Sequence, residues 1–250
     1  MTLDYLIYPP FYSKSKSLTI VKDFYQDKDF AAYYNTVTSL NEFNLSQNND
    51  YNYYTSNISK DSKILEIGSG NGRIFNQLFE ENYNVYGLEP SLNMSTYINS
   101  KAKSRIFHMT LQDFTRNSKL LDPNVVIIPA TSISLFNTTD FENFLRTLLK
   151  KSSFSTIIFD FLKPQYFLQS NRKITTINLD NNTYYYVNFL FDNSIIFNII
   201  STKHKKLGIS QKFIYSSDYF ERLFKKLNGK LEILKEDTYY SMIKGVFNEK

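Results

Sequence analysis

The sequence has no cysteine and no tryptophan, and its 250 residues include only 7 glycines, 6 prolines and 2 histidines. Without cysteine, disulfides, thiolate metal sites and a cysteine nucleophile are excluded. His108 and His204 stand far apart and give no metal-ligand spacing, so no metal is expected. No apolar run approaches the roughly 18 residues of a membrane span, and MTLDYLIYPPFYSKSKS lacks a basic segment followed by a long apolar one. The expectation is a soluble, cytoplasmic protein with no membrane partner. A strong excess of one charge is also lacking: 29 Lys and Arg stand against 24 Asp and Glu, a net charge of +5. The basic residues are scattered over Lys150 and Lys151, Arg172 and Lys173, Lys203 to Lys206, and Lys225 and Lys226. No continuous basic face is indicated, and no nucleic-acid partner is expected. Aromatics are plentiful, at 17%. Asn and Lys are abundant too, and an AT-rich coding bias also produces that composition.

Because glycine is scarce, SKILEIGSGNGRIFNQLFEENYNVYGLEPS stands out, with Gly68, Gly70 and Gly72 at alternate positions. The glycines follow the apolar run KILEI and precede a helical pattern, and the next apolar run ends in Glu89. At the end of a parallel strand, glycines let the backbone turn sharply and approach a ligand, with free helix amides beside it. A dinucleotide fingerprint needs its third glycine where Arg73 stands. Glu66 also places negative charge where a pyrophosphate would lie, and suits a cofactor bearing an ammonium group. A carboxylate at Glu89 is placed to accept both hydrogens of a ribose diol.

From Lys63, the runs KILEI, YNVYGLE, RIFHMTL, NVVIIPA and STIIFDFL alternate with helical patterns such as RIFNQLFEE, LNMSTYINSKA and DFENFLRTLLKK. This predicts an α/β fold with parallel strands joined by crossover helices. After Pro164, KITTINL, TYYYVNFLF, SIIFNIIS and GISQKFIY are joined by turns too short for crossovers, which predicts a small antiparallel sheet. SSDYFERLFKKLNG reads as a helix capped by Ser217 or Asp218 and stopped by Gly229, and KLEILKE and YYSMIKGVF read as a final strand pair. Residues 1–60 read as a lid or flank with a helix near Phe30 to Phe43, residues 61–163 as the core, 164–215 as an insertion and 216–250 as the return to the core.

EIGSGNG, GLEPS and LQDF resemble the successive motifs of class I S-adenosylmethionine-dependent methyltransferases. The resemblance implies a Rossmann-like seven-stranded sheet and S-adenosyl-L-methionine as cofactor. It implies that Glu66 and the loop Gly68, Ser69, Gly70 and Gly72 hold the methionine moiety, and that Glu89, followed by Pro90, binds the ribose. Gln112, Asp113 and Phe114 would meet the adenine, with Pro129 and Ala130 completing the cofactor site. The antiparallel insertion resembles the small-molecule N-methyltransferase branch, which includes glycine and amino-sugar N-methyltransferase-like enzymes. There the inserted sheet and N-terminal segment roof an acceptor pocket, and DFYQDKDFAAYYN makes Tyr25, Tyr33 and Tyr34 candidate lid residues. The sequence departs from that branch at Asn124, at KKSSF, and at Leu135 and Phe136, where some relatives carry a histidine. IPATSISLF lacks the motif of nucleic-acid amino methyltransferases.

Thr131, Ser132 and Ser134 are candidate acceptor contacts or satisfy backbone groups at a strand end. Asp160 reads as a pocket carboxylate for an amine or a cap for the next turn, and Asp113 also suits a helix cap. His108 reads as a packed or edge histidine, His204 as part of a solvated hairpin. Tyr184 and Tyr186 share a strand face that Tyr185 does not. No enzymic base is visible, which favours an amine acceptor, since an amine needs only a free lone pair. The expected function is methylation of a small amine, amino sugar or peptide amine. The alternatives are O- or C-methylation of a metabolite, an RNA or protein methyltransferase, and a non-catalytic S-adenosylmethionine-binding protein.

Overall fold

The structure is a computed structural model and describes residues 3–40 and 50–247. Its N-terminal segment carries α1 (Tyr12–Ser15), β1 (Thr19–Val21), α2 (Lys28–Ser39) and α3 (Asp50–Thr55). Asp27 caps α2 by accepting the amides of Asp29 and Phe30. The end of the helix expected over Phe30 to Phe43, and the first part of NLSQNNDYNYY, lie outside the described residues.

The main sheet is built from β2 (Lys63–Ile67), β3 (Asn84–Leu88), β4 (Ile106–Phe107), β5 (Val125–Ile128) and β6 (Thr156–Leu162). These strands are parallel, and their apolar side chains are buried between helices on both faces. The connecting helices are α4 (Phe75–Glu80), α5 (Leu92–Ser95), α6 (Leu111–Arg116) and α7 (Thr138–Leu148), and α8 (Pro164–Ser170) follows β6. RIFHMTL supplies only a two-residue strand, because Met109 turns back to donate to the Phe107 carbonyl at 2.9 Å and Thr110 then caps α6. LNMSTYINSKA is likewise broken, α5 giving way to a 3-10 segment over Ser100–Arg105.

The second sheet contains β7 (Thr175–Leu179), β8 (Asn182–Phe191), β9 (Ser194–Ser201) and β10 (Lys206–Phe213), all antiparallel in succession. β1 adds to it, parallel to β10, so its order is β1-β10-β9-β8-β7. The first residues are therefore more than a lid. Ile7, Tyr8 and Phe11 are buried against Val187, Ile196 and Leu207, and the buried Asn198 side chain accepts from Tyr8 N–H at 2.7 Å and donates to the Leu6 carbonyl at 2.9 Å.

The chain returns through α9 (Ser217–Lys226), β11 (Gly229–Glu236) and β12 (Tyr240–Phe247). α9 is capped by Ser216, one residue before the expected position, and it is stopped by Asn228 at φ +58°. Gly229 instead opens β11. β12 runs antiparallel to β6 and β11 antiparallel to β12, giving a seven-stranded sheet of order β11-β12-β6-β5-β2-β3-β4. The strand order reverses at β2 and β5, so their carboxyl ends open a crevice where an α/β sheet takes its ligand. The second sheet lies over that crevice, with β10 packed on the 3-10 turn Ser132–Leu135 beyond β5. No helix among the described residues is long and apolar enough to cross a membrane.

Candidate functional site

Beyond β2, Gly68, Gly70 and Gly72 all take positive φ, at +70°, +54° and +85°. This left-handed region favours glycine, and a Cβ on Gly72 would lie 2.7 Å from the Asn76 side-chain amide. The loop is tied to the end of β3: Gly68 and Ser69 amides donate to the Leu88 carbonyl, at 2.9 and 3.1 Å. Gly70 N–H donates to Glu89 Oε2 at 2.7 Å, and Ser91 N–H to Oε1 at 2.8 Å. Glu89 is 5% exposed, and burial pushes its pKa up to about 7 against the pull of those two amides. A carboxylate offers roughly four lone-pair sites, so both oxygens retain acceptor capacity toward a ligand.

Glu66 is 2% exposed, and its Oε2 has no hydrogen-bond partner among the described residues. Burial raises its pKa well above the ordinary carboxylate range. Arg73 lies near enough to lower it, but that guanidinium is engaged by Asp50, with Nη1 donating to Oδ1 at 2.8 Å and Nη2 to Oδ2. An unpartnered buried acceptor is costly unless a ligand donates to it. The ammonium of an amino-acid moiety fits that requirement.

These groups open onto a cavity of about 560 Å³ between the main sheet, α2 and the second sheet. The structure brings Glu66, Gly68, Ser69, Gly70, Glu89, Pro90, Gln112, Pro129 and Ala130 to its wall. Thr131, Ser132 and Ser134 line it as well, with Tyr25, Tyr33 and Tyr34 from the N-terminal segment. That segment is fastened to the main sheet beyond β3: Ser91 Oγ donates to the Tyr25 carbonyl at 2.7 Å and Asn93 to that of Gln26 at 2.8 Å. Asn71 Nδ2 meets Asn35 and Thr38 on α2, at 3.1 and 3.0 Å.

Four expected site residues stand off the wall. Gly72 serves the turn. Asp113 belongs to a capping box with Thr110 and pairs with Arg116, its side chain 44% exposed. Phe114, on the other side of that helix, is buried in the core against Phe144. Of that motif Leu111 and Gln112 reach the cavity, and the Gln112 amide donates to Asp140 at 2.8 Å. Asp160 is 1% exposed and faces inward. Its Oδ1 accepts from the Tyr54 hydroxyl at 2.8 Å and its Oδ2 from Thr131 N–H at 3.0 Å, while burial pushes its pKa up to about 7. Asp160 is thus no pocket carboxylate; it braces the turn on which Ala130 and Thr131 take φ of +56° and +57°. Ser134 completes the brace, its Oγ donating to the Thr131 carbonyl at 2.8 Å. The hydroxyls of Thr131 and Ser132 have no partner among the described residues and are available at the wall.

Neither histidine lines this cavity; His108 Nδ1 lies 3.1 Å from the Glu89 carbonyl oxygen. Among the described residues no group of His, Asp and Glu is placed to hold a metal ion. Sequence reasoning missed the Asp50–Arg73 pair, whose members come from separate elements with no spacing signal between them. It also missed Tyr166 from α8 and the row Asn188, Phe197, Ser210 and Lys212 of the second sheet, all on the wall.

No protein-family model matches the sequence, and comparison with curated proteins gives no match. Solved structures do match. An S-adenosylmethionine-dependent methyltransferase from Clostridium acetobutylicum superposes with a TM-score of 0.65 at 14% identity, covering 85% of this chain and 98% of its own. DesVI of Streptomyces venezuelae gives 0.60 at 15% identity, with 84% and 98% covered. The sugar N-methyltransferase KedS8 of a Streptoalloteichus species gives 0.58 at 12% identity, with 96% and 92% covered. The chain has the fold of the S-adenosylmethionine-dependent methyltransferases.

Proposed function

We propose that the protein is an S-adenosylmethionine-dependent methyltransferase that methylates the nitrogen of a small-molecule amine. The observation that carries the reading is the buried, unpartnered carboxylate of Glu66 beside the glycine loop. Glu66 would hold the ammonium of the cofactor, the loop its carboxylate end, and Glu89 its ribose, with Pro90 and Gln112 along the remainder. The cofactor supplies an already activated methyl group, so the chain's task is to align the acceptor and exclude water. Tyr25, Tyr33 and Tyr34 close one side, and the turn braced by Asp160 and Ser134 presents Thr131 and Ser132 to the acceptor. An amine reacts through its own lone pair once neutral, which accords with a wall free of histidine. The likeness to a sugar N-methyltransferase supports the same acceptor class.

The test is transfer of labelled methyl from S-adenosylmethionine to paired amines and alcohols of the same skeleton. Labelling of amines with release of S-adenosylhomocysteine is expected. Labelling of the alcohols alone would overturn the amine assignment, and no transfer to any acceptor despite cofactor binding would favour a binding protein.

A further inference from the structure

On the reading just given, the acceptor end of the cavity is roofed by one face of the second sheet. Side chains alternate along each strand, and the register places Asn188, Phe197 and Ser210 in one row across β8, β9 and β10. Lys212 follows on the same face of β10, and all four line the cavity. Because β10 packs on the Ser132–Leu135 turn, this row stands close to the acceptor end.

Lys212 differs from the other cations near the site, of which Lys22, also on the wall, is solvent-exposed. Arg73 is held by Asp50, and Lys206, on the same strand, by Asp27 and Asp29 at 2.7 Å each. The Lys212 ammonium lies 5.7 Å from the centroid of the Phe197 ring, and no carboxylate among the described residues is within ion-pair distance of it. The side chain is half-buried, and burial, with no counter-charge acting against it, lowers its pKa. Ser210 is buried and Asn188 half-buried, and neither side chain has a hydrogen-bond partner among the described residues. A half-buried cation without a counter-charge, flanked by two free polar side chains, is stabilised when an anion enters.

We propose that Lys212 is a specificity-determining residue that receives an anionic group of the acceptor, so that the substrate is an amine carrying a carboxylate or phosphate. Asn188 and Ser210 donate hydrogen bonds to the same group, and Phe197 and Tyr166 flank the body of the substrate. The opposite assignment, a lysine that takes the proton from the acceptor, places the ammonium at the reacting nitrogen and makes no distinction between charged and neutral acceptors.

The experiment uses the full chain saturated with S-adenosylhomocysteine and titrates matched pairs by calorimetry: phenylalanine against phenylalaninamide, and glucosamine 6-phosphate against glucosamine. The first pair tests carboxylate, the second phosphate. In wild type, one anionic member is expected to bind at least about tenfold tighter than its neutral partner, the effect of one charge-assisted contact. Lys212→Met should remove that preference without changing S-adenosylhomocysteine affinity, and Lys212→Arg should keep it. Equal affinity within both pairs overturns the inference. So does a Lys212→Met variant that retains the preference, or one that binds normally and loses turnover equally on charged and neutral amines. Absence of S-adenosylhomocysteine binding overturns the methyltransferase reading itself, whereas its binding with no preference for the anionic members overturns this inference alone.

Discussion

Gly70 N–H donates to Glu89 Oε2 at 2.7 Å, which makes the loop after β2 and the end of β3 one mechanical unit. Glu89 thereby has two duties, holding the loop and facing the cavity. Burial keeps its proton up to about 7, against an ordinary carboxylate range near 4. Its contribution to folding stability is therefore present below that range and lost as pH rises through about 7. On the proposed role of Glu89, ligand binding has the opposite sign, because ribose hydroxyls would donate to the ionised form. Calorimetry is expected to show S-adenosylhomocysteine affinity rising between about pH 6 and 8. Glu89→Gln should flatten much of that rise and weaken binding about ten- to a hundredfold at the upper end. A flat wild-type profile would contradict the assignment.

Asp160 accepts from Tyr54 and from the Thr131 amide, so its replacement disturbs a brace and not an acceptor charge. Asp160→Asn puts an amide donor where two donors already point, and a cost of about 1–3 kcal/mol is expected. Denaturant unfolding should show the loss, with reduced kcat and unaltered discrimination between charged and neutral acceptors. A variant of wild-type stability that failed only on charged amines would return Asp160 to the pocket.

Arg73, half-buried, pairs with the buried Asp50, and removing Arg73 leaves that carboxylate uncompensated. Arg73→Met is expected to cost about 3–5 kcal/mol in chemical denaturation, while the double variant with Asp50→Asn should recover a large part of it. Equal stability of Arg73→Met and the double variant would show that Asp50 is not left as an uncompensated buried charge.

Removal of residues 1–20 tests the role of the N-terminal segment. Ile7, Tyr8 and Phe11 sit in the core of the second sheet, and β1 covers the edge of β10. At about 1.5–3 kcal/mol for each buried side chain, their loss takes much of an ordinary stability margin. The truncated chain is expected to melt at least about 10 °C lower or to aggregate. Wild-type melting with reduced turnover would instead identify a dispensable lid.

The parts of the site legible in the sequence are those set by local chain geometry. Three glycines at alternate positions after an apolar run required a turn with positive φ, and Glu89 at the end of the next run had to face it. What the sequence left open depended on direction. Asp160 lies near the end of β6, but only its partners Tyr54 and Thr131, from α3 and the end of β5, show that it points inward. Asp113 satisfies a motif position and a capping box at once, and the cap decides its side chain. Lys212 lies between Gln211 and Phe213 in a strand whose cavity face was undetermined until β10 met the Ser132–Leu135 turn. The β1–β10 pairing joins residues far apart in the chain, and no local pattern announces it.

In the proposed function Glu66 and Glu89 hold S-adenosylmethionine and not a dinucleotide. The most direct measurement is a calorimetric titration of wild type and Glu66→Ala with S-adenosylhomocysteine, and of wild type with NAD. Wild type should bind S-adenosylhomocysteine with Kd on the order of micromolar, Glu66→Ala about ten- to a hundredfold more weakly, and NAD should give no binding heat. Undiminished binding by Glu66→Ala, or NAD bound more tightly than S-adenosylhomocysteine, would contradict it.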